Sequence, residues 1–323
     1  MNASSLKEQF GDRLKENEPL AKHVNFRIGG PARWYIEAKT SDEIGTIVRA
    51  ARTSGLKFAV LGGGSNTLPS DQGFDGLVIQ AANRNWSVNG EVAAAEAGVL
   101  SSFLARKTAE AGLTGFEWAA TLPGTIGGAV RGNAGCFGGE MSDVIESVEA
   151  LDLNDPAAAT RIFTDEECLF GYRDSIFKRG DFIVLAAVLK LTKAPVAFCL
   201  DRLEKVLEKR KAEQPTGQSS AGCMFKNFEY QDDEAVAKLK SRLNVPPEFL
   251  SRKRIPAGWL IERADLKGKK IGDAQVSDKH GNFLVNSGSA TASEVIQLIS
   301  LVKMKIRDEY GIQLEEEVQL LGF

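Results

Sequence analysis

Lys57-Phe58-Ala59-Val60-Leu61 leads directly into Gly62-Gly63-Gly64-Ser65-Asn66, a short apolar run that ends in three consecutive glycines. The apolar residues suit a buried strand. The glycines carry no Cβ atoms, so the backbone N–H groups at the strand end stand unobstructed, and successive amides can form an anion nest. Ser65 and Asn66 add side-chain donors. The loop is not a P-loop, because no Gly-Lys-Ser/Thr follows. Nor is it a dinucleotide fingerprint: Thr67 stands where the third glycine belongs, and no helix pattern follows. Taken alone, the stretch is a phosphate loop or a plain glycine-rich turn, with nothing to choose between them.

Moving outward, 33–38 reads as a strand, with Trp34 and Ile36 alternating against charge. Ser41 is placed to cap a helix through about residue 54, whose apolar face is Ile44, Ile47, Val48 and Ala51 and which Gly55 stops. On the other side, 76–80 is strand-like, and Asn89-Gly90 is a hairpin turn between 86–88 and 91–95. A helix over 100–111 ends near Gly112, and strands resume at 148–153 and 182–191. Strands with few interleaved helices indicate α+β rather than strict βαβ alternation. The texture shifts near residue 194. Helices are expected over 198–213, 257–264 and 293–310, the last with Ile296, Ile299, Val302 and Ile306 on one face and Gly311 as cap. A closing strand is expected over 312–321.

A second glycine-rich stretch strengthens the first. Leu122-Pro123-Gly124-Thr125-Ile126-Gly127-Gly128-Ala129-Val130 again offers backbone donors and a hydroxyl. Two such loops suit a ligand with two phosphates, although close helix packing explains Gly127-Gly128 equally well. Composition sets outer bounds. The 323 residues are 43% hydrophobic, ample for a core and for about two domains. A net charge of −3 gives no electrostatic reason to expect nucleic acid or an anionic membrane as partner. No apolar run approaches the roughly 20 residues of a membrane span, and 1–20 lacks a signal-peptide core. Cys136, Cys168, Cys199 and Cys223 are too irregularly spaced for a metal pair or a disulfide framework, and only two histidines are present. No metal is expected, and a reduced, cytoplasmic setting follows.

Three places have residues suited to charge or proton chemistry. In Gly171-Tyr172-Arg173-Asp174-Ser175, Arg173 could clamp a carboxylate bidentately or simply pair with Asp174 in a surface turn. In Ser219-Ser220-Ala221-Gly222-Cys223-Met224-Phe225-Lys226-Asn227, small neighbours could open Cys223 to a ligand, with Lys226 acidifying it if near; a buried structural cysteine fits as well. In Glu315-Glu316-Glu317-Val318, strand alternation puts Glu315 and Glu317 on one face. One carboxyl there could act as an acid–base group, or the run could be a solvated edge.

These segments together resemble the UDP-N-acetylenolpyruvoylglucosamine reductases, the MurB family of bacterial peptidoglycan synthesis. The resemblance runs from Asn25-Phe26-Arg27-Ile28-Gly29-Gly30-Pro31-Ala32 through both glycine loops, Asn133-Ala134-Gly135, Tyr172-Arg173-Asp174-Ser175 and Ser220 to Asn227. It continues through Ala257-Gly258-Trp259-Leu260-Ile261-Glu262 and Val276-Ser277-Asp278-Lys279-His280 to Glu317-Val318, in the family's order. The pattern is similar to the subtype lacking the extra substrate-loop insertion.

The resemblance implies an α+β fold: a two-lobed FAD-binding domain of the vanillyl-alcohol-oxidase type over 25–193, after an N-terminal helical extension over 1–24. A C-terminal α+β substrate domain follows over 194–323. It implies a cytoplasmic, monomeric flavoprotein oxidoreductase of cell-wall biogenesis that takes a UDP-sugar substrate, with no nucleic-acid partner and no membrane insertion. Its FAD would be non-covalent, since His23 is the only histidine before His280 and lies upstream of the glycine loops. NADPH would reduce FAD, and the reduced flavin would then pass hydride to the enolpyruvyl methylene carbon, giving UDP-N-acetylmuramate.

Residue by residue, the resemblance implies FAD contacts at Gly62, Gly63, Gly64, Ser65, Asn66, Pro123, Gly124, Thr125, Gly127, Gly128 and Val130. Arg173 would hold the substrate carboxylate, and a protonated Glu317 would assist. Cys223 would protonate the enol carbon; a thiol, with an ordinary pKa of about 8.5, is a stronger acid than the serine common there. Tyr172, Lys226, Asn227 and His280 would contact substrate or NADPH. The chain departs from the family at Phe228, where proline is usual, at Thr67-Leu68-Pro69, at Arg131-Gly132 and at Cys136. Two alternatives remain: another flavoenzyme of this fold, or a non-catalytic flavin or nucleotide-sugar binder.

Overall fold

Ile44, Ile47, Val48 and Ala51 do share one buried face, on the helix Ser41–Thr53 of the computed structural model, which describes residues 4–323. The cap is Thr40 rather than Ser41: its hydroxyl accepts from Glu43 N–H at 3.1 Å, because Thr40 is extended and Ser41 is already helical. Two units make up the chain. The first comprises the chain up to Glu18, Ala32–Gly64 and Phe74–Ala212; the second comprises Pro19–Pro31, Ser65–Gly73 and Glu213–Phe323.

The first unit is built on two sheets. One has the order Lys15–Pro19, Pro31–Ala38, Phe74–Ala81, Phe58–Leu61, and the last three strands pair in parallel. The helix face packs on it through Ile36, Leu77 and Ile79. Each such fully buried side chain contributes about 1.5–3 kcal/mol relative to exposure. The other sheet is antiparallel, ordered Thr160–Thr164, Ile145–Asp152, Phe182–Lys190, Val92–Glu96, Trp86–Asn89. Its last two strands are the hairpin that Asn89-Gly90 predicted, with Gly90 at φ 62°. Helices Ser101–Glu110 and Ile126–Arg131 contribute to its core.

The expected break near 194 falls inside this unit. Helix Val196–Glu213 buries Cys199 and Leu203 against Ala109, so it belongs with the first half nearly to its end. The boundary expected at residue 24/25 is likewise not where the units divide. Phe26, Ile28 and Leu68 sit in the core of the second unit, and Thr67–Pro69 pairs in parallel with Gln319–Leu321.

The second unit carries an antiparallel sheet ordered Ser219–Cys223, Phe283–Asn286, Ala274–Val276, Lys270–Ile271. Helix Ala292–Tyr310 covers its core with Val295, Leu298, Ile299, Val302 and Ile306. Thr291 and Glu294 form a capping box, and Asp71 accepts from the N–H groups of Ala292 and Ser293 at 2.8 and 2.9 Å. The closing strand expected over 312–321 shrinks to Gln319–Leu321. Ile312 and Leu314 are core residues, and only Glu316 bridges a neighbour, Phe225, so no ladder extends through the glutamates. Among the described residues no helix is long and apolar enough to cross a membrane, no acidic, histidine or cysteine cluster suits a metal, and no disulfide joins the four cysteines.

Candidate active site

The strand Phe58–Leu61 delivers the chain into Gly62, and the two glycine loops meet in the first unit. A Cβ on Gly63 would lie 2.4 Å from Gly124 Cα, and one on Gly62 would lie 2.7 Å from Thr125 Oγ1. The Gly63 contact is with backbone, so the approach requires glycine there, whereas a side chain at Gly62 would have to displace the Thr125 hydroxyl. Gln80, on the strand Phe74–Ala81, donates its side-chain amide to the carbonyls of Leu61 and Gly62 and fixes the loop's entry. The second loop is held by Ser101 N–H on Gly124 O at 3.1 Å and Ile126 N–H on Val99 O at 2.9 Å.

Thr125 is the N-cap of helix Ile126–Arg131 but makes no side-chain cap bond. It is only 6% exposed, and its hydroxyl oxygen has no hydrogen-bond partner among the described residues. Such an orphan costs about 1–3 kcal/mol, so a hydroxyl facing a Cβ-free cradle fits a ligand that supplies the partner, as a diphosphate does. Gly128 is exposed, and a Cβ there would meet only Thr125 Oγ1, at 3.9 Å. Gly127 answers to a different constraint: its Cβ would strike Ala97 at 2.7 Å, and its N–H is spent on Ala97 O. Val130 is fully buried in the core. Of the predicted set, Gly62, Gly63, Gly124, Thr125 and Gly128 therefore converge, while Gly127 and Val130 face the interior. Gly64 turns at φ 61°, and Pro123 is exposed. Ser65 and Asn66 belong to the second unit, where Asn66 Nδ2 donates to Glu317 O at 3.2 Å.

Arg173 sits in a tight turn closed by reciprocal backbone bonds between Gly171 and Asp174, at 3.0 and 3.1 Å. Its φ of 55° is left-handed, uncommon for a side chain of this kind. The turn is held from several sides. Lys178 Nζ donates to Arg173 O at 2.8 Å, and Arg173 Nη2 donates to Gly135 O at 2.7 Å. Fully buried Asn133 donates Nδ2 to Gly171 O at 3.0 Å and accepts Ser142 N–H. Buried Ser175 donates to Arg131 O at 2.7 Å. Asp174 pairs with Arg179 at 3.0 Å, and the Tyr172 ring lies 5.3 Å from the Arg173 guanidinium carbon. Cys136, beside Gly135, donates to Trp118 O at 3.4 Å, and burial pushes its thiol pKa up, which suits packing.

In the second unit a register slip between Ser220 and Cys223 opposite Phe283–Asn286, with Gly222 at φ 80°, makes a bulge next to Cys223. The residues after it are gripped on both sides. Met224 N–H donates to Asn282 O at 2.7 Å, and the Asn282 carboxamide accepts from Phe225 N–H at 2.9 Å while donating to Phe225 O at 2.8 Å. Opposite, Lys226 N–H donates to Glu315 O at 2.9 Å, and Glu317 N–H donates to Met224 O at 2.8 Å. Glu317 is thus tied to the residue next to Cys223, and both are half-buried.

The neighbouring glutamates are engaged elsewhere: exposed Glu315 with Lys226 at 3.3 Å, and Glu316 with Lys303 at 2.8 Å. The Lys226 ammonium therefore has a carboxylate partner of its own. Asn227 Oδ1 accepts Ala257 N–H at 3.2 Å, at the start of helix Ala257–Arg263. His280 Nδ1 accepts Asn282 N–H at 3.2 Å, which leaves its ring proton on Nε2. Burial lowers the His280 pKa. Phe228 stacks on Tyr230 and pairs with Ile255, so a strand position accounts for it where proline would break the pairing. Gln80, Asn133 and Asn282 were not singled out by sequence; only Asn133 lay in a quoted motif.

Two glycine loops that meet on this α+β scaffold, together with a match of residues 32–155 to the FAD binding domain family, define an FAD-dependent oxidoreductase. Residues 214–321 match the family described as UDP-N-acetylenolpyruvoylglucosamine reductase, C-terminal domain. The chain belongs to the UDP-N-acetylenolpyruvoylglucosamine reductase family. It is 36% identical over 326 residues to the reductase of Caldanaerobacter subterraneus subsp. tengcongensis, covering 99% of both chains. It is 37% identical over 313 residues to that of Syntrophomonas wolfei, covering 96% of both. The crystal structure of the Thermus caldophilus enzyme is similar at 34% identity and a TM-score of 0.75, covering 95% of this chain and 99% of that one.

Proposed function

We propose that this chain catalyses the NADPH-dependent reduction of UDP-N-acetylenolpyruvoylglucosamine to UDP-N-acetylmuramate, using non-covalent FAD, in peptidoglycan precursor synthesis. Family membership supports the reaction. The observation that supports the residue assignment is the backbone tie between Glu317 and Met224, the residue that follows Cys223.

Gly62, Gly63, Gly64, Ser65, Asn66, Pro123, Gly124, Thr125 and Gly128 would hold FAD, with Gly127 and Val130 supporting the loop from within, and the flavin would supply a two-electron hydride carrier. The remaining chemistry belongs to the chain. Arg173 holds the substrate carboxylate, and its guanidinium is pre-set by Gly135 O, which limits the ordering required at binding. Protonated Glu317 donates a hydrogen bond to the carboxylate as negative charge develops on it. Cys223 gives its thiol proton to the enol carbon and regains one from solvent. Tyr172, Lys226, Asn227 and His280 contact substrate or NADPH, and neutral His280 offers Nε2–H as a donor.

The reading places the enzyme in the cytoplasm as a monomer; sedimentation of the purified protein tests the monomer. The activity is tested by following NADPH consumption with and without the UDP-sugar, and by the product's gain of two hydrogens in mass spectra. NADPH consumption that does not depend on the UDP-sugar contradicts the proposal.

A further inference from the structure

Asn282 is 3% exposed and spends its whole side chain on one residue of another segment. Its carboxamide accepts from Phe225 N–H at 2.9 Å and donates to Phe225 O at 2.8 Å, as a neighbouring strand would. Its carbonyl accepts Met224 N–H at 2.7 Å, and its own N–H donates to His280 Nδ1 at 3.2 Å. Met224 and Phe225 directly follow Cys223, where the sheet register has already slipped and no regular ladder continues. On their far side lies the Glu315–Glu317 segment, bonded through Met224 O and Lys226 N–H. Asn282 therefore replaces the missing ladder and sets where the bulge carrying Cys223 lies relative to Glu317.

We propose that Asn282 is a positioning residue for proton delivery: it locks the Met224–Phe225 backbone so that the Cys223 thiol and the Glu317 carboxyl keep one fixed relation. The proposal rests on Cys223 being the proton donor. Asn282 touches no reacting atom and acts only through the backbone of Phe225. A displacement of about 1 Å at a reacting group costs about 10²-fold in rate.

The test uses the FAD-loaded enzyme under anaerobic stopped flow, with Asn282→Ala, Cys223→Ala and the double variant. Asn282→Ala is expected to slow flavin reoxidation by UDP-N-acetylenolpyruvoylglucosamine about 10²-fold and to leave flavin reduction by NADPH within about two-fold. In the Cys223→Ala background the same change is expected to cost no more than about two-fold, because coupled groups are non-additive. An equal loss in both backgrounds, or in both half-reactions, assigns Asn282 a purely structural role and overturns the proposal. If Cys223→Ala alone leaves reoxidation unchanged, the proton-donor assignment itself fails, which is a separate and recognisable result. Asn282→Asp guards against misfolding of the alanine variant. Its carboxylate repels Phe225 O, whereas the neutral acid restores both bonds. Reoxidation by this variant is expected to recover as pH falls while flavin reduction does not follow; a pH profile parallel to that of the parent enzyme contradicts the proposal.

Discussion

Replacing Gly63 by alanine places a methyl carbon 2.4 Å from Gly124 Cα, 3.0 Å from Gly124 C and 3.2 Å from Thr125 N. All three are backbone atoms, so no flexible side chain can yield. Carbon–carbon contacts settle at about 3.5–4.0 Å, so the two loops must part by roughly 1.1–1.6 Å. Overpacking of this kind costs about 1–3 kcal/mol, or roughly 2–12 °C in thermal midpoint at ~2–4 °C per kcal/mol. The same displacement opens the diphosphate cradle, and FAD affinity is expected to fall at least about ten-fold, the equivalent of ~1.4 kcal/mol. Gly128→Ala is the contrast. Its methyl meets only Thr125 Oγ1 at 3.9 Å, so the FAD-free protein should keep its stability to within about 0.5 kcal/mol, while the ligand still loses its close approach. The assays are FAD titration by flavin fluorescence and thermal unfolding of the FAD-free protein. If Gly63→Ala changes neither, or if Gly128→Ala destabilises the FAD-free protein as much as Gly63→Ala does, the two-loop cradle is wrong.

Thr125→Val removes the orphan hydroxyl while keeping its shape. Stability of the FAD-free protein should hold or rise by up to about 1 kcal/mol, and FAD affinity should fall about ten-fold; unchanged affinity would sink the hydroxyl's role. Cys223→Ala should leave flavin reduction by NADPH nearly intact and slow reoxidation by substrate about 10²–10⁴-fold, as loss of a general acid does; rapid-mixing absorbance separates the two steps. Burial holds the His280 pKa below its ordinary 6.5, so the unfolded chain takes up the proton first. The resulting stability is intact above pH 6.5 and is lost as pH falls below it toward the folded value. Denaturant midpoints across that range should therefore drop less for His280→Asn than for the parent, and identical slopes would contradict the assignment.

The two glycine loops were legible because strand, glycine and hydroxyl occur in order along a short stretch, and in the fold they meet at Gly63 and Gly124. What local pattern could not separate was one glycine from another. Gly127 is fixed by Ala97 and Gly128 by open space, a distinction set by residues some thirty positions away. The hairpin at Asn89-Gly90 and the helix faces were readable because their periodicity is local. The unit boundary was not, since helix Val196–Glu213 chooses its side through two buried residues, Cys199 and Leu203, on an otherwise charged helix. The glutamate run read as a strand because alternation was available. Its pairing is limited to one bridge, Glu316 with Phe225, flanked by the bonds of Lys226 N–H to Glu315 O and of Glu317 N–H to Met224 O. Asn133 and Asn282 carried no signal of their own: an asparagine that mimics a backbone partner looks, in sequence, like any polar loop residue.

The most direct test of the central claim is a two-step anaerobic titration of the FAD-loaded protein. Added NADPH should bleach the flavin absorbance, and UDP-N-acetylenolpyruvoylglucosamine should then restore it, with UDP-N-acetylmuramate formed in proportion. Flavin that is bleached but not restored by this substrate, while other acceptors restore it, would make the chain a different flavoenzyme and contradict the account.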